Sequence, residues 1–275
     1  MATKLFMKCV EETSESHVYE PFLYREFREG REYDKNFMCV TDIRKPFIQA
    51  KAFSLIHNLP TTIYPRHLQE FFARYYLNRP SLTFNFRMYG HGYSWSLRKL
   101  GKVLNVCSEG NMFYTRSTKT DDFMKIKHYH PSTYALEPPI HAVLIQNTIL
   151  QPDYHCEDAP FEYWNKSQLE PKLMPWADVL LKNVFLEMEA QERLPIIVGY
   201  MLYCIMTDTP FNFAYFIAKR MEALDYNEEP LPFARLLTHI FNNIKSKYPN
   251  DQSRMIDVDD VDPMEDGFTI NSLDI

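Results

Sequence analysis

Glycine is scarce in this chain, seven residues in 275, so the backbone is stiff and has few places for flexible loops. Paired cysteines are missing as well. The five present (Cys9, Cys39, Cys107, Cys156 and Cys204) are an odd number at wide spacing with no CxxC, a pattern of reduced packing thiols in the cytosol or nucleus. No apolar run is long enough to cross a bilayer. The most apolar window, LPIIVGYMLYCIM at 194–206, is closed by Asp208 and Pro210 and reads as a buried helix. The opening MATKLFMKCVEETSES lacks the apolar stretch of a secretion signal. An excess of positive charge is lacking too. Formal net charge is −6, but residues 251–275 hold eight acids against Arg254 and account for −7, which leaves residues 1–250 at +1. The body is therefore without the global basic charge that advertises binding to a phosphate backbone.

What the chain has instead is aromatic bulk. Phenylalanine contributes 20 residues and tyrosine 18, within an apolar fraction of 45%, enough for a sizeable core and too much for a disordered body. Residues 1–45 mix charges with aromatics without a clean period and read as an irregular N-terminal segment. From Pro46 a helix is expected through FIQAKAFSLIHN, ended by Pro60. In YPRHLQEFFARYYLN, Pro65 suits a first helical turn, and Leu68, Phe71, Phe72, Tyr75 and Tyr76 recur at helical spacing as one aromatic core face. After Pro80 the period becomes two: Leu82, Phe84, Phe86 and Met88 alternate with polar residues as a half-buried strand. Gly-His-Gly at 90–92 follows, then a short second strand YSW, and Ser94 or Ser96 can cap a helix bearing Leu97, Leu100, Val103 and Leu104.

Those glycines turn the chain rather than cradle phosphate. A dinucleotide fingerprint leads from a strand straight into a helix, whereas here a second strand intervenes and no Lys-Ser/Thr pair follows. His91 at the tip is read as solvated. Segment 107–135 is a long polar connection, and PPIHAVLIQNTIL a further helix. Helical patterns then run through PWADVLLKNVFLEMEAQ, LPIIVGYMLYCIMTD, TPFNFAYFIAKRMEAL, where Asn212 can cap, and PFARLLTHIFNNIKSKY. Four such helices joined by short proline-marked connections predict a compact antiparallel bundle. The expected fold class is mainly α, a helical bundle with a small β-hairpin near 82–95. The helical domain spans 46–248, and 249–275 is a disordered acidic tail.

Candidate chemistry is thin. His128, His130 and His141 with Asp153, His155, Cys156 and Glu157 are competent zinc ligands, but His at i, i+2 suits a strand rather than one helix face, and no paired-cysteine motif accompanies them. No metal or cofactor is assigned. The chain has no Gly-x-Ser-x-Gly elbow and no cysteine with a local activating signature. The adjacent carboxylates Asp121–Asp122 and Asp259–Asp260 lie in polar, solvated contexts, and no catalytic residue is assigned. The basic run SLRKLGK, with Arg98, Lys99 and Lys102, is short but able to touch phosphates, and is the one candidate nucleic-acid surface singled out.

In their order along the chain, YPRHLQEFFARYYLN, FNFRMYGHGYSWSLRKLGKVLNVCSEG, MPWADVLLKNVFLEMEAQ, GYMLYCIMTDTPFNFAYFIAKRM and LPFARLLTHIF resemble the plant transposon protein domain, a family of plant reading frames related to transposable elements. The resemblance covers roughly residues 40–245. A more distant likeness is to the aminotransferase-like plant mobile domain, which shares the hairpin-then-helix signature. The resemblance implies a protein derived from a mobile element and supplies no catalytic residues. The expectation is a non-enzymatic interaction or assembly module, nuclear or cytoplasmic, with a protein partner or self-association and no membrane. The alternative is a nucleic-acid-associated protein of a mobile element.

Overall fold

The structure is a computed structural model that describes residues 27–28, 33–120, 142–186, 192–224, 231–247, 256–257 and 269–270. In chain order the elements are β1 (Phe27–Arg28), α1 (Lys35–Val40), α2 (Arg44–Gln49), β2 (Thr62–Ile63), α3 (Pro65–Ala73), β3 (Tyr76–Asn78), β4 (Thr83–Met88), β5 (His91–Ser96) and α4 (Leu97–Leu104). They continue with α5 (Ala142–Ile149), β6 (Trp164–Asn165), α6 (Met174–Val179), β7 (Arg193–Leu194), α7 (Ile196–Thr207), α8 (Phe213–Glu222), β8 (Leu231–Pro232), α9 (Ala234–Lys245), β9 (Ile256–Asp257) and β10 (Thr269–Ile270). The chain divides into two compact units, one of residues 1–31, 58–104 and 218–275 and the other of residues 32–57 and 105–217.

The first unit is built on a three-stranded antiparallel sheet of order β3-β4-β5. Its register follows from alternation in β4: Phe84 pairs with Leu77 and Trp95 and faces the core, whereas Asn85 pairs with Tyr76 and Ser94 and faces outward. Helix α3 packs on β4, and α9 packs on α4, α3 and β2. The core between them is aromatic. Phe71 stacks on Tyr75 at 5.5 Å and meets Phe84, Phe86 and Phe241 at 5.6, 5.1 and 6.0 Å between centroids. Polar contacts hold the loops to α9: the buried Arg235 donates from Nε to the Pro60 carbonyl at 2.6 Å and from Nη2 to that of Leu59 at 3.1 Å. Thr238 donates to the Thr62 carbonyl at 3.0 Å. The Tyr75 hydroxyl donates to the Ala218 carbonyl. Two-residue strands complete the unit, β2 with β9 antiparallel and β1 between β8, parallel, and β10, antiparallel.

The second unit is centred on α7, buried from Ile196 to Ile205, with α5, α6 and α2 against it. Helix α7 is mostly apolar around its circumference, and the polar groups beside it are bonded, the Tyr200 hydroxyl of α7 accepting from Asn111 Nδ2 at 2.6 Å. Gln146 of α5 is fully buried. Its Oε1 accepts from Phe161 N at 2.8 Å and Trp164 Nε1 at 3.1 Å, and its Nε2 donates to the Tyr154 carbonyl at 2.8 Å. Helix α6 runs on into a π-helical turn over Leu180–Phe185, from which the buried Asn183 donates to the Leu55 carbonyl at 3.0 Å. Asn212 caps α8, accepting from Tyr215 N at 2.9 Å, as its position in the sequence suggested.

The expected helical bundle with a small hairpin is corrected: the arrangement is mixed α/β. The four helices are divided between the units, α6 and α7 in one and α9 in the other. Three local differences explain why the pattern misled. The helix from Pro65 stops at Ala73, and Tyr76–Asn78 form a third strand, because Tyr75-Tyr76-Leu77 is also a run of good strand formers and finds β4 as a partner. The helix near Pro46 starts at Arg44 and ends at Gln49, and the left-handed Lys51 (φ 51°) separates it from the 3-10 turn Phe53–Leu55. The second strand of the hairpin runs from His91 to Ser96 rather than over YSW alone. Of the irregular N-terminal segment and the acidic tail, all but residues 27–28, 33–45, 256–257 and 269–270 lies outside the described residues. Among those described, no helix is long and apolar enough to cross a membrane.

Two glycines of opposite surroundings test the packing. A Cβ at Gly199 in α7 falls 2.6 Å from Cζ3 of the fully buried Trp164, whereas one at Gly92 in β5 meets nothing within 4 Å. Gly199→Ala is expected to lower unfolding free energy by about 1–3 kcal/mol, the cost of overpacking a tight core. Gly92→Ala is expected to change it by less than about 0.5 kcal/mol, as surface substitutions do. Urea midpoints of the two variants check both values, and equal midpoints would contradict the packing described.

Candidate nucleic-acid interface

Helix α4 begins where β5 ends, and Ser96 caps it by accepting from Lys99 N at 3.2 Å. Leu97, Leu100, Gly101 and Leu104 are its buried side, which leaves Arg98, Lys99 and Lys102 exposed. The sequence candidates are thus placed on one helix, but they do not act as one patch. Lys99 Nζ lies 4.1 Å from the centre of the Trp95 ring, a cation–π contact that fixes the start of its reach. Lys99 and Lys102 line a groove of about 570 Å³ together with Val103 and with His239 and Asn243 of α9. Arg98 is exposed but is not part of that lining.

His239 and Asn243 are four residues apart on α9, His239 half-buried and Asn243 exposed, at the edge of the side that buries Leu236 and Ile240. Burial lowers the pKa of the His239 imidazole from its ordinary 6.5, so at neutral pH it enters the groove uncharged. The groove therefore offers two ammonium groups, one amide and one neutral imidazole with a single N–H, all able to donate to phosphate oxygens.

The hairpin turn answers the phosphate question directly. Tyr89 and Gly90 are both left-handed (φ 53° and 74°), the backbone of a tight hairpin turn in which Gly90 is relaxed and Tyr89 is not. Their amides point at the Glu70 carboxylate, Tyr89 N to Oε2 at 3.0 Å and Gly90 N to Oε1 at 2.9 Å. The anion site that two consecutive amides make is filled by the chain's own carboxylate.

The metal candidates part company in a similar way. His128, His130 and His141 lie outside the described residues. Of the second group, His155 Nε2 is 3.0 Å from the Leu150 carbonyl, and Cys156 receives Gln146 Nε2 at 3.1 Å while its own amide donates to Asn147 Oδ1 at 3.0 Å. These bonds hold the loop after α5 to the helix. Among the described residues no three His, Cys, Asp or Glu side chains cluster as metal ligands. Burial raises the Cys204 thiol to about 12, and burial with the Asp158 charge raises that of Cys156, so both are poor nucleophiles.

Comparison with family models, curated proteins and solved structures finds no match for this chain. The reading of the site therefore rests on its own chemistry. Sequence reasoning missed His239 and Asn243, whose i, i+4 spacing on the polar side of a helix was visible. Their meeting with Lys99 and Lys102 was not, because α9 lies far along the chain from α4.

The lowered pKa of His239 has a measurable sign. The unfolded chain binds the proton more readily than the folded protein, so this group's contribution to stability is complete above about pH 6.5 and is lost as pH falls below it. His239→Gln is expected to flatten the fall in unfolding midpoint between about pH 7 and pH 5. An unchanged slope would assign that fall to other groups.

Proposed function

We propose that this chain is a non-enzymatic binding module of a plant transposable-element-derived protein, nuclear or cytoplasmic, and that its ligand is nucleic acid held on the first unit. The groove between α4 and α9 carries this reading: two lysines, an asparagine amide and a histidine converge there, and among the described residues no carboxylate is part of its lining. The near-neutral body charge fits a local patch rather than whole-chain attraction. The mobile-element origin is supported by the order of sequence motifs that resemble the plant transposon protein domain.

Assembly through a protein partner or a second copy is the other reading, and one observation favours it. In the second unit Val40 of α1 is 87% exposed and Ile48 of α2 is 49% exposed, large apolar side chains on consecutive short helices.

Fluorescence anisotropy with labelled RNA and DNA oligonucleotides, over a salt series, separates the two. The nucleic-acid reading expects affinity to fall steeply with salt, and expects Lys99→Glu with Lys102→Glu to reduce the slope by about one unit per lost phosphate contact. Absence of binding at low salt, together with a concentration-dependent mass in light scattering that Val40→Asp with Ile48→Asp abolishes, would replace it with the assembly reading.

A further inference from the structure

We propose that the outward face of the three-stranded sheet in the first unit is a platform for single-stranded RNA. Tyr76 would stack a base, and Arg74 and Arg87 border the hollow beside it. The inference deepens the nucleic-acid reading above and rests on it, but it concerns a different surface from the α4–α9 groove.

The geometry is set by strand register. Tyr76, Asn85 and Ser94 form one row across the three strands, and Arg87 opposite Gly92 forms the next row along. With strands about 4.8 Å apart, a row spans about 10 Å, and successive rows on one face are about 7 Å apart, close to the spacing of nucleotides along an extended strand. Arg74, two residues before β3, lines a hollow of about 490 Å³ together with these residues. The outward positions of the three strands (Tyr76, Asn78, Thr83, Asn85, Arg87, Gly92, Ser94 and Ser96) include no carboxylate.

Each position fits the chemistry of an unpaired nucleotide. Tyr76 belongs to a run whose other members, Tyr75 and Leu77, are buried, yet it is itself 57% exposed. A flat ring on a strand that does not join the core is what base stacking uses, and stacking tolerates any base. Gly92 leaves the position beside Arg87 without a side chain, and a Cβ there would meet nothing within 4 Å. Asn85 Nδ2 is engaged with the Thr83 carbonyl at 3.0 Å, which turns its Oδ1 toward use as an acceptor, and Ser94 adds a hydroxyl in the same row. An amide oxygen and a hydroxyl beside the stacking ring are partners for a ribose 2′-hydroxyl, which selects RNA over DNA. Duplexes are excluded by shape: the face presents neither a helix nor a projecting ribbon to enter a groove, and paired bases hide the surfaces that Tyr76 would stack on.

The test uses the full chain and labelled ten-nucleotide oligomers of one sequence as single-stranded RNA, single-stranded DNA and duplex. Gly92→Glu places a carboxylate at the hollow, on an exposed position where an added Cβ meets nothing within 4 Å, so its urea midpoint is expected to change little. Tyr76→Ala removes the stacking ring, and Tyr76→Phe keeps it. The proposal expects RNA to bind more tightly than DNA or duplex. It expects Tyr76→Ala and Gly92→Glu each to weaken RNA binding by about fivefold or more, with Tyr76→Phe close to the unaltered protein. Unchanged RNA affinity in Tyr76→Ala and Gly92→Glu, with loss confined to Lys99→Glu and Lys102→Glu, would overturn the platform and leave the nucleic-acid reading standing. Equal or tighter binding of DNA or duplex would overturn the assignment to RNA. Absence of binding by every oligomer would overturn both.

Discussion

The first unit depends on one packing constraint, the seating of β4 against the aromatic side of α3. Phe71 touches Phe84 and Phe86 from one direction and Phe241 of α9 from another, so a single ring ties sheet, helix and covering helix together. Strand side chains alternate with a period of two, so a slip of one residue would send Phe84 and Phe86 into solvent and bring Asn85 and Arg87 into the core. Burial of each phenylalanine contributes about 1.5–3 kcal/mol, and a charged side chain costs far more when buried alone, so the register has no close competitor. Everything on the outward face, polar row and arginine alike, is therefore positioned by apolar contacts on the opposite side.

The same logic shows in the second unit through a polar group. Gln146 is enclosed, and each end of its carboxamide is bonded, to Phe161 and Trp164 at one end and to Tyr154 and Cys156 at the other. A satisfied amide of this kind specifies one arrangement among several of similar apolar burial, because any other would leave a donor or acceptor without a partner. Trp164, oriented by that bond, lies close against Gly199, and α7 is thereby set against its neighbours.

Much of this was legible in the sequence where one rule acts alone. The alternation of Phe84, Phe86 and Met88, the capping Asn212 and an apolar helix within 194–206 each follow from a local pattern, and the structure has them, whereas Leu82 stands before the strand with a left-handed backbone (φ 51°). A hairpin was expected here, but its turn is Tyr89–Gly90 rather than Gly-His-Gly at 90–92, since His91 and Gly92 belong to β5, and the reason it excludes phosphate was out of reach because Glu70 approaches from another element. Tyr76 was the consequential error: helical spacing placed it in an aromatic core face, and β-pairing with Asn85 overrode that spacing. The exposed lysines of α4 were visible as a basic run, while their groove needed α9. The π-helical turn at 180–185 leaves no mark on apolar periodicity that a reader could separate from an ordinary helix.

The first unit draws on three separated stretches of chain, with the second unit's residues interposed. The Tyr64 hydroxyl and Asn242 Oδ1 meet at 3.0 Å although 178 positions separate them. On a ribosome the hairpin and α3 emerge long before α9 exists to cover their phenylalanines. At about 5–20 residues per second, that interval leaves adhesive rings uncovered for many seconds. Biogenesis of this protein is thus a problem of timing, in which a nascent chain must be shielded until its last long helix arrives.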